Sequence, residues 1–317
     1  MGNHSLFEKP NKKTLSVMAA AAGALGLYKL LKKKDPQSEA IVVLGSGQSG
    51  TSVLTRCLKI IGVDLGSSLI KPNPKGNFEN KRIRDIQKQM IKTLKHRPFP
   101  TGWQHSKRNK TFKKQLTQAV QDEFSGEALW GWKDPRTIDL LAMWKEILDD
   151  LNVEGHYLIM VRNPIDVITS YQKNYNREEH WARLQWQIRT LMALKETQGK
   201  SRMIVTYDDL FNYPLECMRK IAQRFDLPWT KDEMSLKNKL DTFVHPELTR
   251  NSTDIEALAN REDIEKDVKD LYLLCLKGAH SRVELQSKEF NAQVDELYHA
   301  FLQDHGQVSF RPPKKQS

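Results

Sequence analysis

A chain of 317 residues with 39% hydrophobic content is long enough for one large α/β domain or two small ones, which excludes disorder over most of its length. Its three cysteines, Cys57, Cys217 and Cys275, lie far apart with no CxxC pair, so neither a zinc site nor a disulfide framework is implied. The net charge of +11 suits nucleic acid, an anionic membrane surface or a small polyanionic ligand, and charge alone does not choose among them.

Residues 1–38 read as a separate leader. Lys9, Lys12 and Lys13 precede an apolar run from Leu15 to Tyr28, and Lys29, Lys32, Lys33 and Lys34 follow it. The run falls short of the roughly 20 residues that a spanning helix needs. The leading expectation is an interfacial or short anchor whose lysines, over residues 9–34, meet anionic headgroups. An uncleaved signal anchor and an inert Ala-rich leader are the alternatives. With the cysteine usage, this gives a cytoplasmic, membrane-associated protein as the expectation.

The main domain is expected over 39–305. Ala40-Ile-Val-Val-Leu44 is apolar throughout and too short for a helix, which predicts a strand buried on both faces. A glycine-rich turn follows, and then helical spacing from Thr51 to Ile61. Strand, turn and helix together open a doubly wound α/β domain. The helical segments 81–95 and 110–123 have sparse apolar positions and read as surface helices. Strands are predicted at Ala128–Trp132, His156–Val161 and Arg202–Thr206, with helices at Ile138–Asp149, from Asn163-Pro164 onward, over 178–197 and at Pro214–Phe225. The last third predicts two amphipathic helices, 254–277 and 282–303, before a flexible basic tail over 306–317. Alternating units of this kind predict a mostly parallel sheet with helices on both faces.

The first chemical feature is Gly45-Ser-Gly-Gln-Ser-Gly-Thr51-Ser52, between a buried strand and a helix. Glycines let several backbone N–H groups turn toward one anion, and the helix N-terminus adds partial positive charge. Gly45 and Gly50 fit the spacing of the nucleoside-triphosphate loop, but Thr51 stands where that loop needs Lys. A P-loop kinase is therefore a weaker reading. The second feature is Arg162-Asn163-Pro164-Ile165-Asp166, with Ser170 about two turns into the following helix. Arg162, at the carboxyl end of a strand, can hold a phosphate with Ser170 or can serve as a structural partner of Asp166.

The two motifs in this order resemble the sulfotransferases that use 3′-phosphoadenosine 5′-phosphosulfate (PAPS). Ile61–Gly66, Asn73–Asn80, Trp132-Lys-Asp-Pro-Arg136, Val205–Leu210 and Val244–Leu248 extend the resemblance to the bacterial type, over about residues 40–250. The resemblance implies a P-loop-type three-layer fold with extra C-terminal helices. It implies that Gly47, Gln48, Ser49, Gly50, Thr51 and Ser52 hold the phosphosulfate, and that Arg162 and Ser170 hold the 3′-phosphate. Tyr207 is implied to meet the adenine, and Arg250 is a stand-in for a C-terminal basic segment that this sequence lacks. Glu79 is implied as the base, with His105 and then His96 as alternatives.

One departure matters. Relatives carry Lys or Arg where Gln48 stands, and that cation neutralises charge on the leaving oxygen. Lys133 is the candidate substitute; otherwise the protein is slow, or binds nucleotide without transferring sulfate. PAPS as donor, adenosine 3′,5′-bisphosphate as product, no metal, and a small-molecule, lipid or glycan acceptor are expected. Nucleic acid is not, because no basic strand carries interleaved aromatics and no recognition helix is evident.

Overall fold

The computed structural model describes residues 38–70, 77–94, 96–244 and 253–309. The expected leader anchor, Arg250 and most of the basic tail therefore lie outside the described residues.

Four parallel strands form the central sheet: β1 (Ser38–Gly45), β3 (Leu129–Lys133), β4 (Val153–Val161) and β5 (Ser201–Thr206), in the order β3-β1-β4-β5. From Ala40 to Leu44 strand β1 is apolar because this stretch has no solvent face. Ala40, Val42 and Leu44 point into one core, and Ile41 and Val43 into the other. The second core is closed by α1 (Thr51–Ile60), α7 (Tyr207–Asn212), α8 (Pro214–Phe225) and α9 (Glu233–Phe243). Against the first core pack α2 (Lys81–Thr93), α3 (Lys107–Phe124), α4 (Leu141–Asp150), α5 (Pro164–Tyr175) and α6 (Glu179–Glu196). The C-terminal helices α11 (Lys266–His280) and α13 (Lys288–His305) join them. The result is the three-layer fold expected from the sequence.

Strand β3 lies at the sheet edge and fills its inner face with tryptophan. Phe124, Trp130, Trp132 and Trp144 follow one another at centroid separations of 4.3, 5.6 and 4.2 Å. Each buried indole N–H near this column needs a partner. Trp132 Nε1 donates to Thr137 Oγ1 at 3.0 Å, and Trp144 Nε1 to Gln87 Oε1 at 2.8 Å. Gln87 Oε1 also accepts from Thr137 Oγ1 at 3.2 Å, so it ties α2 to α4 and to the turn that follows β3.

The two expected surface helices are α2 and α3; each keeps an exposed face and buries the other, with Ile83, Gln87 and Met90 on α2 and Leu116, Ala119, Val120 and Phe124 on α3. Apolar positions that are sparse by count still align at helical spacing. The expected helix 254–277 is broken into α10 (Ile255–Ala259) and α11. Between them Arg261 pairs with Asp263, two residues on, a contact that a continuous helix does not allow. The expected helix 282–303 is also two, α12 (Arg282–Gln286) and α13, because the Ser287 hydroxyl caps a new start by accepting from Phe290 N at 2.9 Å. The tail expected from residue 306 begins instead with β6 (Val308–Ser309), antiparallel to β2 (His96–Arg97), and Val308 is buried.

All three thiols are buried, and burial alone pushes Cys275 up to about 12. Burial likewise dominates at Cys57, pushed up to about 12 against the opposing charge of Arg56, and raises Cys217. The thiolate is the reactive form. Native protein at pH 8 is therefore expected to show no iodoacetamide labelling by mass spectrometry, and full labelling at three sites once denatured. Rapid labelling of any cysteine in the native state would contradict this packing.

Candidate active site

The register aligns the carboxyl ends of the strands. Gly45 of β1 stands opposite Met160 of β4, Val43 opposite Lys133 of β3, and Val161 opposite Thr206 of β5. Lys133, the 45–51 loop, Arg162 and Tyr207 consequently emerge along one edge. In open α/β sheets this is the edge that carries ligand.

The loop is tightly curled. Gln48 takes φ 68° and Gly50 φ 92°, both in the left-handed region. Gly50 precedes the first residue of α1, and its carbonyl accepts from Val53 N and Leu54 N. A side chain at Gly47 would place its Cβ 2.2 Å from the Tyr171 hydroxyl, so only glycine allows this approach. The hydroxyls of Ser46 and Ser49 are buried and have no hydrogen-bond partner among the described residues. Buried hydroxyls are normally satisfied. Two such orphans in a loop at a helix N-terminus fit an anion that accepts from them.

The second motif meets the loop directly. Arg162 is buried, and its Nη1 donates to the Gln48 carbonyl at 3.2 Å. Ser170 Oγ donates to Gln48 Oε1 at 2.9 Å and accepts from Asn174 Nδ2 at 3.0 Å. Gln48, the residue that departs from the family pattern, is thus bonded to both members of the second motif. The pairing of Arg162 with Asp166 is loose, at 3.7 Å. Asp166 instead accepts from Thr253 N and Thr253 Oγ1 at 3.2 and 2.6 Å. Burial raises its carboxyl pKa, and the Thr253 bonds oppose that. Asn163 caps α5 through Ile165 N and donates from Nδ2 to the Thr253 carbonyl at 2.9 Å. The Asn-Pro-x-Asp run therefore fastens the chain at Thr253 as well as starting a helix.

Tyr207 packs against Gly50 and is sandwiched. The Arg162 guanidinium lies 4.1 Å above its ring and Phe211 stacks at 4.0 Å. Both faces of the ring are covered by these two side chains, and Tyr207 is buried.

Glu79 and Lys133 form a buried ion pair at 3.0 Å. Asp134 is fully buried behind them, accepting from Arg136 N and Nη1 at 2.8 Å each. Burial pushes its carboxyl up, Arg136 lowers it, and the charge of Glu79 raises it further. The candidate base and the candidate substitute cation, 54 residues apart, are in direct contact.

The other candidate bases lie elsewhere. His105 is 61% exposed and bonds Glu146 at 2.8 Å, on the flank of α4. Burial would raise the Glu146 carboxyl, but bonds from Lys113, Gln104 and His105 outweigh it and hold the group at about 2. His96 is exposed in the β2–β6 pair. Among the described residues neither forms a hydrogen bond or ion pair with the loop or Glu79.

Sequence reasoning passed over Glu123. Its carboxylate, 1% exposed, accepts from Ser67 N at 2.9 Å, Ser68 N at 3.0 Å and Asn80 Nδ2 at 3.0 Å, and from both serine hydroxyls. Asn80 in turn caps α2 by accepting from Arg82 N and Ile83 N. Ile70 N donates to the Glu79 carbonyl, and Lys81 N to that of Ser68. One carboxylate thus holds the backbone on both sides of Glu79. No local pattern marks it, because its partners lie 43 to 56 residues away.

The model of the sulfotransferase family matches residues 40–231, more than half of the chain. This chain belongs to the sulfotransferase family. The match spans the loop, Glu79, Lys133, Arg162, Ser170 and Tyr207. Matches among solved structures include sulfotransferase STF9 from Mycobacterium avium, at 16% identity and TM-score 0.41, covering 84% of this chain and 81% of that one. Mouse sulfotransferase SULT7A1 complexed with PAP matches at 14% identity and TM-score 0.37, covering 87% and 89%. No curated protein matches the chain. Among the described residues of this sulfotransferase, no group of three or more His, Cys, Asp or Glu is placed to hold a metal, and no helix is long and apolar enough to cross a membrane.

Burial tends to raise the Glu123 carboxyl pKa, but hydrogen bonds from Ser68, Asn80 and Ser67 outweigh it and lower the value. A lowered folded pKa gives stability that is full above the usual value of about 4.3 and is lost as pH falls through the folded value. Glu123→Gln, which leaves buried donors facing an amide, is expected to cost about 1–3 kcal/mol in urea denaturation at pH 7. The difference from the parent protein should shrink below pH 4.

Proposed function

We propose that this chain transfers a sulfuryl group from PAPS to a hydroxyl of a carbohydrate, lipid or small-molecule acceptor. The observation that carries the reading is the junction of Arg162, Ser170 and Gln48, which joins the anion cradle to a second basic grip. PAPS carries a 3′-phosphate and a 5′-phosphosulfate on one ribose, and two linked anion sites are what it requires. The backbone N–H groups of the loop and the hydroxyls of Ser46 and Ser49 suit the phosphosulfate, and Arg162 and Ser170 suit the 3′-phosphate. Arg250 remains part of this reading as a further basic contact.

In the reaction the acceptor oxygen bonds to sulfur while the bond from sulfur to the bridging oxygen breaks. The electron pair stays on that oxygen, which leaves with adenosine 3′,5′-bisphosphate, and the acceptor proton passes to Glu79. Charge grows on the leaving oxygen, where preorganised donors are most effective. Gln48 supplies a hydrogen bond but no charge. Lys133, in contact with Glu79, is the cation assigned to offset it. The basic leader over residues 9–34 is read as holding the enzyme at an anionic membrane surface.

Gln48 also favours a second reading, nucleotide binding with weak or no transfer. Its carboxamide oxygen is engaged by Ser170, and no cation replaces it in the loop itself.

One measurement tests both readings and a second separates them. Adenosine 3′,5′-bisphosphate is expected to bind in calorimetry, and Arg162→Ala to weaken it by roughly tenfold to a hundredfold, the value of a charge-assisted hydrogen bond. An intact protein that shows no binding well above micromolar nucleotide would refute both readings. The native protein is expected to move sulfur-35 from labelled PAPS onto acceptors in a cell extract, and Gln48→Lys to speed transfer at least tenfold. Transfer seen only in Gln48→Lys would favour the second reading.

A further inference from the structure

The positive charge of this chain is concentrated. The chain has 50 Lys and Arg against 39 Asp and Glu, yet residues 81–121 hold twelve of the first and one of the second, an excess equal to that of the whole chain. This stretch forms α2 and α3, joined by Arg82 to Asp122 at 2.9 Å, so the start of one helix meets the end of the other. The pair is therefore antiparallel.

Some of these cations are already used. Lys81 and Arg84 bond Asp85, Lys113 bonds Glu146 and Asp150, and Arg97 is buried against Asp139. Lys88, Lys92, Lys107, Arg108, Lys110 and Lys114 are exposed and have no acidic partner among the described residues. Lys88 and Lys92 share a face of α2, and Lys107, Lys110 and Lys114 share a face of α3. Both faces lie opposite the buried Ile83, Gln87, Met90 and Leu116, Ala119, Val120.

Other exposed helices of the same chain balance their lysines. Lys237 pairs with Asp241, and Lys266 with Asp270, each four residues on. The face 88–114 leaves out this common device and bears the self-repulsion instead. Such a cost is offset when an anion covers the face.

We infer that the outer face of α2 and α3 docks on an anionic bilayer surface. The face is the outside of two side-by-side helices rather than a cleft. Five of its six cations are lysines, compact charges on flexible stems that suit many mobile headgroups better than one fixed ligand. Neither helix exposes an aromatic ring for base stacking, so single-stranded nucleic acid is disfavoured. A polyanionic chain running from Lys92 to the start of α2, next to Glu79, would span roughly 17 Å along the helix axis. Headgroups need no such continuity. The docking is independent of sulfuryl transfer and of the leader lysines.

The full chain is to be sedimented with phosphatidylcholine vesicles, with and without phosphatidylserine, at low and high salt. The combined variant Lys88→Glu, Lys92→Glu, Lys110→Glu, Lys114→Glu changes only exposed side chains, and the same positions as Gln give a milder set. A leader variant replaces Lys29, Lys32, Lys33 and Lys34 by Ser. Binding is expected to need phosphatidylserine and to weaken with salt. Each lysine strengthens binding roughly fivefold, so the Glu set should weaken it at least fiftyfold, with the Gln set intermediate and melting and nucleotide binding retained. Equal binding to both vesicle types, unchanged affinity of the Glu and Gln sets, loss in the leader variant alone, or preference for heparin oligosaccharide over the anionic vesicles would each overturn the docking.

Discussion

Everything in this sulfotransferase is arranged around a strand with no solvent face. Ala40 to Leu44 are almost completely buried, with alternate residues in two separate cores. Pairing with β3 on one side and β4 on the other satisfies the β1 backbone and leaves only its ends free. Polar chemistry is thus confined to the edge where the chain leaves the sheet. The loop after Leu44, the cation at the end of β3 and the guanidinium after β4 stand along one edge because the ladder register sets them level.

The edge strand has a different task. Strand β3 has a ladder partner on only one side over most of its length, and a column of aromatic rings supports its inner face. The indole N–H groups of Trp132 and Trp144 reach Thr137 and Gln87, which bond each other and pin α2 close to the end of β3. From the opposite side Glu123 fixes the segment before α2. The Glu79–Lys133 pair is gripped from two directions. A buried ion pair pays for desolvation only in a geometry this well determined.

Much of the proposed donor side was legible in sequence. The apolar run, the glycine spacing and the strand–helix context located the 45–51 loop, and Arg162 with Ser170 stood at a recognisable spacing behind a strand. Glu79 and Lys133 were each named, but their contact was not, because sheet order brings them together across 54 residues. His105 illustrates the reverse case. A histidine beside Trp103 suggested a base, yet the helix start at Trp103 directs it to Glu146. The roles of Glu123 and Thr253 were not legible either, since each depends on partners more than 40 residues distant. Local patterns carried the elements, and non-local pairing carried what supports the site.

The close fit of Gly47 against Tyr171 has a thermodynamic side. The phenol, the Arg162 bond to the Gln48 carbonyl and the Ser170 bond to its amide hold the curl of the loop from three directions. A cradle shaped by its own protein loses little conformational entropy when an anion arrives. The two buried serine hydroxyls supply the other half of the balance, an unsatisfied polarity that the folded chain carries and that the proposed anion would relieve. On that reading, rigidity and latent polarity together make the loop a preorganised receptor.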